Sequence, residues 1–201
     1  MNKIFVALLL FFIPVAVWAQ TKGLDNNPLV EVKQIIPDIV LDIRYATPNN
    51  FLKQTVYPEP VAFLRKTSVE KLKVAAEILR TQGYRIKLFD AYRPLTVQKK
   101  MWAIMPNSRY VANPSKGSVH NRGGAVDLTL VTLDGKDVEM PSEYDEFNEK
   151  AHHGYPMASD LAKNHVAILK EAMLKAGFKS IPTEWWHYND PEAKAWPVLD
   201  K

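Results

Sequence analysis

The sequence predicts a single α+β domain in which helices pack around a mostly antiparallel central sheet. Three observations lead to this prediction. Residues 68–82 and 161–176 carry apolar residues at helical spacing. Residues 85–90 and 125–133 have patterns typical of strands. These segments occur in clusters and not in strict strand–helix–strand alternation, which favours an α+β fold over a parallel α/β sheet.

The first part of the domain is rich in β-branched residues. Residues 29–45 include several Val and Ile side chains and are interrupted by Pro37. This composition predicts two short extended pieces and no helix. The polar residues 20–28 before them are expected to form a flexible entry segment.

The middle of the chain contains the first strong helix signal. The residues Thr-Ser-Val-Glu at 67–70 resemble a capping box, which predicts that the helix begins at Ser68, and Gly83 predicts its end near Gln82. The strand at 85–90 follows and leads to Arg93. A shorter helix is predicted over residues 96–104. The following residues 106–118, rich in Pro, Asn, Ser and Gly, predict a loop.

The last third predicts a hairpin, a helix and a final strand. Asp134 and Gly135 are a turn signal that would fold the strand at 125–133 back into a partner strand around Val138. The helix at 161–176 is expected to stop at Gly177. Residues 181–188 are the final predicted strand.

The first nineteen residues are predicted to be an export signal that is removed before Gln20. Lys3 gives a positive start, residues 4–17 are apolar apart from Pro14, and a cleavage site follows at Ala19. A membrane anchor is the alternative, but this run is shorter than the roughly 20 residues that a spanning helix needs. No Cys follows the run, so a lipoprotein is excluded. We therefore expect an exported, periplasmic domain over residues 20–201 with no stable membrane anchor.

Charge and cysteine content restrict the classes of function. The 26 Lys and Arg residues and 22 Asp and Glu residues give a formal net charge of +4, and they are scattered without long runs. This distribution argues against a nucleic-acid partner. The chain has no Cys, so disulfides cannot stabilise it, and a structural zinc site with thiolate ligands is excluded.

Two motifs supply candidate metal ligands. His120 and Asp127 flank Gly123-Gly124, and the sequence Glu-Trp-Trp-His occupies residues 184–187. Two imidazoles and one carboxylate that leave a fourth position open are typical of a catalytic zinc centre. Taken singly, His120 would be a surface loop histidine and Asp127 a capping residue at the start of a strand. Together with His187 they predict one Zn²⁺ per chain.

Two further residues are candidates for catalysis. Glu184 is placed to act as general base on water, although a role as fourth ligand is the alternative. Arg93 is a candidate for stabilising an oxyanion, with a surface salt bridge as its alternative. Residues three apart face opposite ways on a flat strand. Glu184 and His187 therefore require either a bulge or a position for Glu184 in the preceding turn.

The motifs resemble zinc peptidases that cut D,D- or L,D-peptides of bacterial cell walls, and within these the D-alanyl-D-alanine dipeptidase family of the VanX type. The resemblance covers roughly residues 30–190 and implies an α+β fold. Five blocks in family order carry it, namely Arg44–Thr47 with Asn50-Phe51, Asp90–Pro94, Ser118–Leu130, Ser142–His153 and Glu184–Tyr188.

The resemblance also implies residues that bind the substrate. Asp145 matches the family carboxylate that holds the free ammonium of a dipeptide, with Glu146 as the alternative if the register differs. Ser118 and Tyr45 match polar positions of the same pocket. The doublet at 152–153 resembles a pair of histidines outside the metal site.

Three other residues with aromatic rings are placed outside the metal site. Trp185 and Trp186 are interpreted mainly as core and rim residues, with walling of the substrate pocket as the alternative role, and His165 as an exposed helix residue.

The resulting hypothesis is zinc-dependent hydrolysis of D-alanyl-D-alanine to two D-alanine molecules, in cell-wall turnover or scavenging. A D,D- or L,D-carboxypeptidase that acts on longer wall peptides is the nearest alternative. A zinc- or wall-binding module without catalysis is the alternative from another class.

Overall fold

The computed structural model describes residues 26–201, so the predicted export signal and most of the entry segment lie outside the described residues. The strands are Leu29–Glu31 (β1), Val40–Leu41 (β2), Phe63–Arg65 (β3), Tyr84–Asp90 (β4), Ala125–Thr132 (β5), Lys179–Ile181 (β6) and Glu184–Asn189 (β7). The α-helices are Val32–Ile35 (α1), Lys66–Thr81 (α2), Leu95–Ile104 (α3) and Asp160–Lys175 (α4). Across this described range, no helix combines the length and the apolar character that crossing a membrane requires.

A five-stranded sheet in the order β2-β4-β5-β7-β6 forms the centre of the domain. The pair β2–β4 is parallel, and the other three pairs are antiparallel. A separate antiparallel pair joins β1 to β3. The predicted α+β class with a mostly antiparallel sheet is therefore confirmed.

Strand β5 separates the core from the functional face of the sheet. Val126, Leu128 and Leu130 are fully buried and belong to the hydrophobic core that also contains apolar residues of α2 and α4. Because side chains alternate along a strand, Asp127 and Thr129 project from the opposite face. The same strand thus supplies the core on one side and a polar site on the other.

Helix α2 begins two residues earlier than predicted and has no capping box. The residue before it, Arg65, makes no side-chain cap. Instead, the side-chain oxygen of Asn27 accepts the N–H of Thr67, and its amide nitrogen donates to the Thr67 hydroxyl. Ser68, the predicted first residue, lies inside the helix and donates to Asp190. The prediction was wrong because a partner 40 residues away replaces the local cap.

Two further predictions were wrong, one for the segment between β1 and β2 and one for the segment after β5. A helical turn, α1, lies between β1 and β2 where only extended chain was expected, because Val32 and Ile36, four residues apart, are both buried in the core. After β5 the chain turns at Gly135, but only one bridge joins Val131 to Asp137. Val138, expected in a partner strand, packs against the core instead.

Helix α4 agrees with the prediction within one residue at each end. The Ser159 hydroxyl caps its first turn by accepting the N–H of Ala162, and Gly177 follows with a φ of +93°. His165 on this helix was expected to be exposed, and that prediction was wrong. Its side chain is 5% exposed, and Nδ1 lies 2.8 Å from the carbonyl oxygen of Glu139.

Candidate metal centre and active site

The candidate ligands come together from two neighbouring strands and a turn. Asp127 on β5 is the direct partner of His187 on β7. His120 begins a 3₁₀ turn that ends at Gly123, whose φ of +72° suits glycine. Gly124 then leads into β5. The glycine pair therefore provides the turn that the spacing of His120 and Asp127 requires.

Two of the three distances between the candidate ligand atoms match those of a tetrahedral metal site, and the third is shorter. His120 Nε2 lies 3.3 Å from His187 Nδ1 and 3.3 Å from Asp127 Oδ1, and the last two atoms are 2.9 Å apart. Ligand atoms about 2.0–2.1 Å from a tetrahedral zinc lie about 3.3 Å from one another. This is the only His, Cys, Asp and Glu cluster suited to a metal within residues 26–201. The two histidines at 152–153 are not part of this cluster, as expected.

Each candidate ligand is oriented by a second contact. His120 Nδ1 lies 2.7 Å from the carbonyl oxygen of Ala91, and His187 Nε2 lies 2.9 Å from Asn189 Oδ1. Since both partners are acceptors, the outer nitrogens hold protons as donors, and a cation between the rings would take the place of any proton on the inner nitrogens. The two inner nitrogens and the carboxylate would then direct their lone pairs at that cation. Such an arrangement of acceptors suits a cation, and outer contacts of this kind are typical of metal ligands.

The carboxylate of Asp127 is held in its ionised form. Burial alone would raise the pKa of Asp127, but the neighbouring imidazoles of His120 and His187 outweigh burial and lower it. Its second oxygen, Oδ2, accepts a hydrogen bond from the Tyr144 hydroxyl at 2.9 Å. Asp127 therefore offers one oxygen to the cluster while the other is fixed.

Glu184 and His187 share the site because the strand pairing is interrupted between them. Ser180 pairs with Tyr188, but the next residue of β6, Ile181, pairs with Glu184. Residues 185–187 bulge out between these two pairs. The predicted strand at 181–188 is thus two strands, and the bulge resolves the spacing problem.

The carboxylate of Glu184 faces the cavity beside the cluster. Its Oε2 lies 3.9 Å from His187 Nδ1, and no described residue forms a hydrogen bond with it. Burial raises the pKa of Glu184 to about 7. The charge of His187 lowers this pKa, and the charge of Asp127 raises it. A carboxylate with such a pKa can accept and return a proton near neutral pH.

Arg93 is buried, so the alternative of a surface salt bridge is excluded. Its Nε and Nη2 donate to Asp90 Oδ2 at 2.9 and 2.6 Å, and its Nη1 donates to Gln98 at 2.8 Å. Asp90 is completely buried, and its other oxygen accepts the Tyr57 hydroxyl. These three contacts fix the guanidinium at the wall of the cavity.

Asp145 lies at the cavity wall in a left-handed backbone conformation with φ of +60°. Its carboxylate accepts the hydroxyl of Tyr45 at 2.9 Å. Burial and the charge of Asp127 raise the pKa of Asp145 to about 8. Glu146, the alternative, bonds instead to Asn148 and is absent from the cavity wall, which favours Asp145.

The cavity has a volume of about 270 Å³, slightly below the usual range of roughly 300–1,000 Å³ for ligand pockets. Ser118 lies in its wall, and its hydroxyl oxygen accepts the N–H of His120. Trp185 and Trp186 are both 1% exposed, as core residues should be, and Trp186 also lines the cavity. The small volume suits a small ligand.

The C-terminal segment around Leu199 forms backbone hydrogen bonds to two loops that carry site residues. The N–H of Leu199 donates to the carbonyl oxygen of Asn121 at 2.8 Å, and the Asn121 side chain donates to the carbonyl oxygen of Arg93. The carbonyl oxygen of Leu199 accepts the N–H of Leu95. One segment thereby connects the turn that carries His120 with the loop that carries Arg93.

All the residues that were named for the site from the sequence line one cavity, but the residues that orient them were missed. Asp90 stands three residues before Arg93 at the end of β4, and Asn189 stands two residues after His187 on the same face of β7, so spacing could have indicated both. Tyr144 adjoins Asp145, but nothing in its sequence position indicates a contact with Asp127.

Comparison with known proteins identifies the family. A family model described as D-ala-D-ala dipeptidase matches residues 25–200. The D-alanyl-D-alanine dipeptidase of Escherichia coli is 32% identical over 175 residues, which cover 87% of this chain and 91% of that protein. The enzyme of the same name from Enterococcus faecium is 34% identical over 176 residues, which cover 77% of this chain and 87% of that protein. The protein is therefore a peptidase that belongs to the D-alanyl-D-alanine dipeptidase family.

Proposed function

We propose that the protein hydrolyses D-alanyl-D-alanine to two D-alanine molecules at a zinc centre. The names of its relatives support the dipeptide substrate. The cluster of His120, Asp127 and His187 supports the metal, because its geometry and its outer contacts suit a tetrahedral ion. When bound there, zinc would polarise the substrate carbonyl and lower the pKa of water to about 7.

Glu184 acts as the general base and acid. Its carboxylate takes the proton of the attacking water and passes it to the leaving amine. The raised pKa of about 7 and the lack of a competing hydrogen bond among the described residues support this role. The alternative role as fourth ligand would close the position that water needs.

Arg93 stabilises the negative charge that develops on the carbonyl oxygen of the substrate. A guanidinium carries five N–H donors. Asp90 and Gln98 together accept three of them, which leaves two for the substrate. Because the group is fixed before the substrate arrives, little reorganisation is needed when the charge forms.

Asp145 binds the free ammonium of the dipeptide, with Tyr45 orienting it. The buried carboxylate has a raised pKa, so a positively charged partner would stabilise its ionised form strongly. This is the observation that favours a dipeptidase over a D,D- or L,D-carboxypeptidase, because longer wall peptides present no ammonium at this position. The presence of both Glu184 and Arg93 argues against a module without catalysis.

The biological role that we propose is cell-wall turnover or scavenging after export. The positive start and apolar run of residues 1–19 support export, and free dipeptide outside the inner membrane would come from wall breakdown or the surroundings. The mass of the protein isolated from a periplasmic fraction tests this, since cleavage should leave Gln20 as the first residue. An intact Lys3 in the isolated protein would contradict it.

Two experiments test the reaction. Zinc-loaded protein is incubated with D-Ala-D-Ala, its L,L isomer and N-acetyl-D-Ala-D-Ala, and released alanine is measured. Only the free D,D-dipeptide should be cut, because acetylation removes the charge that Asp145 binds. Equal rates on the acetylated and free forms would favour the carboxypeptidase.

The second experiment is Glu184→Gln. This variant should retain bound zinc and lose most of its hydrolysis. Loss of zinc to the level of His187→Ala would assign Glu184 as a ligand instead.

A further inference from the structure

We infer that Arg109 binds the carboxylate at the C-terminal end of the dipeptide and makes the site selective for a free C-terminus. This inference rests on the proposed function. It concerns a residue in the loop between α3 and the turn that carries His120, outside the motifs discussed above.

The charges around the cavity lead to Arg109. Arginine side chains are permanently charged, and only two line the cavity in the described part of the chain, Arg93 and Arg109. Arg93 is already paired with Asp90, and the proposed function uses its remaining donors for the reacting carbonyl. Arg109 is thus the available cation for a second anionic group.

Arg109 lies at the exposed rim of the cavity, next to two aromatic side chains. Its guanidinium carbon lies 5.8 Å from the ring centre of Tyr110, and Tyr110 stacks on Phe147 with 5.0 Å between ring centres. The backbone N–H of Arg109 donates to the side chain of Asn107 at 3.0 Å. No carboxylate among residues 26–201 pairs with its guanidinium.

A substrate carboxylate in this cavity would need a positively charged side chain beside it. Asp127, Asp145 and Glu184 all line the cavity, so a carboxylate that enters meets three acidic groups. A guanidinium matches a carboxylate with two parallel hydrogen bonds. Ser118, near the other end of the same loop, also lines the cavity. Its oxygen accepts the N–H of His120, and no acceptor among residues 26–201 takes its hydroxyl proton.

The test compares D-Ala-D-Ala with its C-terminal amide, which keeps the shape but lacks the charge. Arg109→Gln should lower kcat/KM on the free dipeptide roughly tenfold to hundredfold, mainly through KM, and leave the amide nearly unchanged. The preference for the free acid should therefore collapse. Lys100→Gln, which removes one positive charge at an exposed position of α3, should preserve it.

A binding measurement separates this inference from the proposed reaction. Calorimetry on zinc-loaded Glu184→Gln protein gives the affinities for the free dipeptide and the amide, with and without Arg109→Gln. A preference for the free dipeptide that disappears with Arg109→Gln supports the inference even if the wild-type protein cuts neither compound. An unchanged preference in Arg109→Gln, or no preference at the start, would overturn it.

Discussion

The pairing of Asp90 with Arg93 can be tested by Asp90→Asn, which keeps the shape of the side chain and removes its charge. Each oxygen of Asp90 accepts two donors. Arg93 Nε and Nη2 bond to Oδ2, and the Tyr57 hydroxyl and the Ala91 N–H bond to Oδ1. An asparagine has only one such oxygen. Whichever way its amide turns, two buried donors lose their acceptor.

The expected cost follows from burial. The side chain of Asp90 is 0% exposed and that of Arg93 is 9% exposed, so water cannot replace the lost acceptor. Removing one partner of a buried ion pair typically destabilises a protein by about 3–5 kcal/mol. For a domain of this size, that loss corresponds to a fall in Tm of roughly 6–20 °C.

The chain offers a matched control in Asp38 and Arg80. Here Arg80 Nε and Nη2 donate to the two oxygens of Asp38 at 2.7 and 2.6 Å, and the side chains are 37% and 35% exposed. Water can solvate both groups when the pair is broken. Asp38→Asn should therefore cost only about 0.2–1 kcal/mol.

Urea unfolding of both variants measures the two free energies, and hydrolysis of the dipeptide reports on Arg93. Asp90→Asn should also lower kcat about 10²–10³-fold, because a displaced guanidinium no longer meets the developing charge. Equal destabilisation by Asp90→Asn and Asp38→Asn would refute the argument from burial. Full activity in Asp90→Asn would refute the positioning of Arg93 by Asp90.

Three further variants test other contacts. Tyr144→Phe removes the hydroxyl that fixes Asp127, so zinc affinity measured by competition with a chelator should fall about 10–100-fold; unchanged affinity would contradict this. Gly124→Ala should destabilise by about 1–3 kcal/mol in urea unfolding, because the added carbon would lie 2.2 Å from Cβ of Ala193. Burial, together with the charge of Lys170, lowers the pKa of His153 to about 4 in the folded protein. Between pH 6.5 and about 4 the unfolded chain therefore binds a proton at His153 that the folded protein does not. The free energy of unfolding should fall as the pH drops through this range. His153→Phe should flatten that part of the pH profile, and an unchanged slope would count against it.

The sequence predicted the elements whose signals are local. Helix α4 has its own cap and its own terminal glycine, and β4 carries its own alternation, so both agree with the structure closely. The start of α2 was missed because Asn27, far away in the chain, supplies the cap. Helix α1 was missed because two of its four residues, Val32 and Ile35, are β-branched, and the turn forms through burial of Val32 in the core.

In the site, too, features that depend on a short motif were predicted, and features that depend on distant contacts were not. The sequence predicted from chemistry and spacing that His120, Asp127 and His187 lie together, and the structure places them in one cluster. The bulge that brings Glu184 beside His187 depends on pairing with β6, and the contact between Tyr144 and Asp127 depends on how a loop returns over the sheet. Neither the pairing nor the loop path is encoded in a short motif.

The support of the site by the C-terminal segment has a consequence for the order in which the protein matures. His120 and Asp127 leave the ribosome well before His187, and the segment around Leu199 follows later still. Chains are made at about 5–20 residues per second, so a partial chain holds two ligands for several seconds without the third. The strand that carries His187 must also pair with β5 before the three ligand atoms meet. Metal loading at this cluster would therefore be a late event that follows synthesis and sheet assembly, in whichever compartment folding is completed.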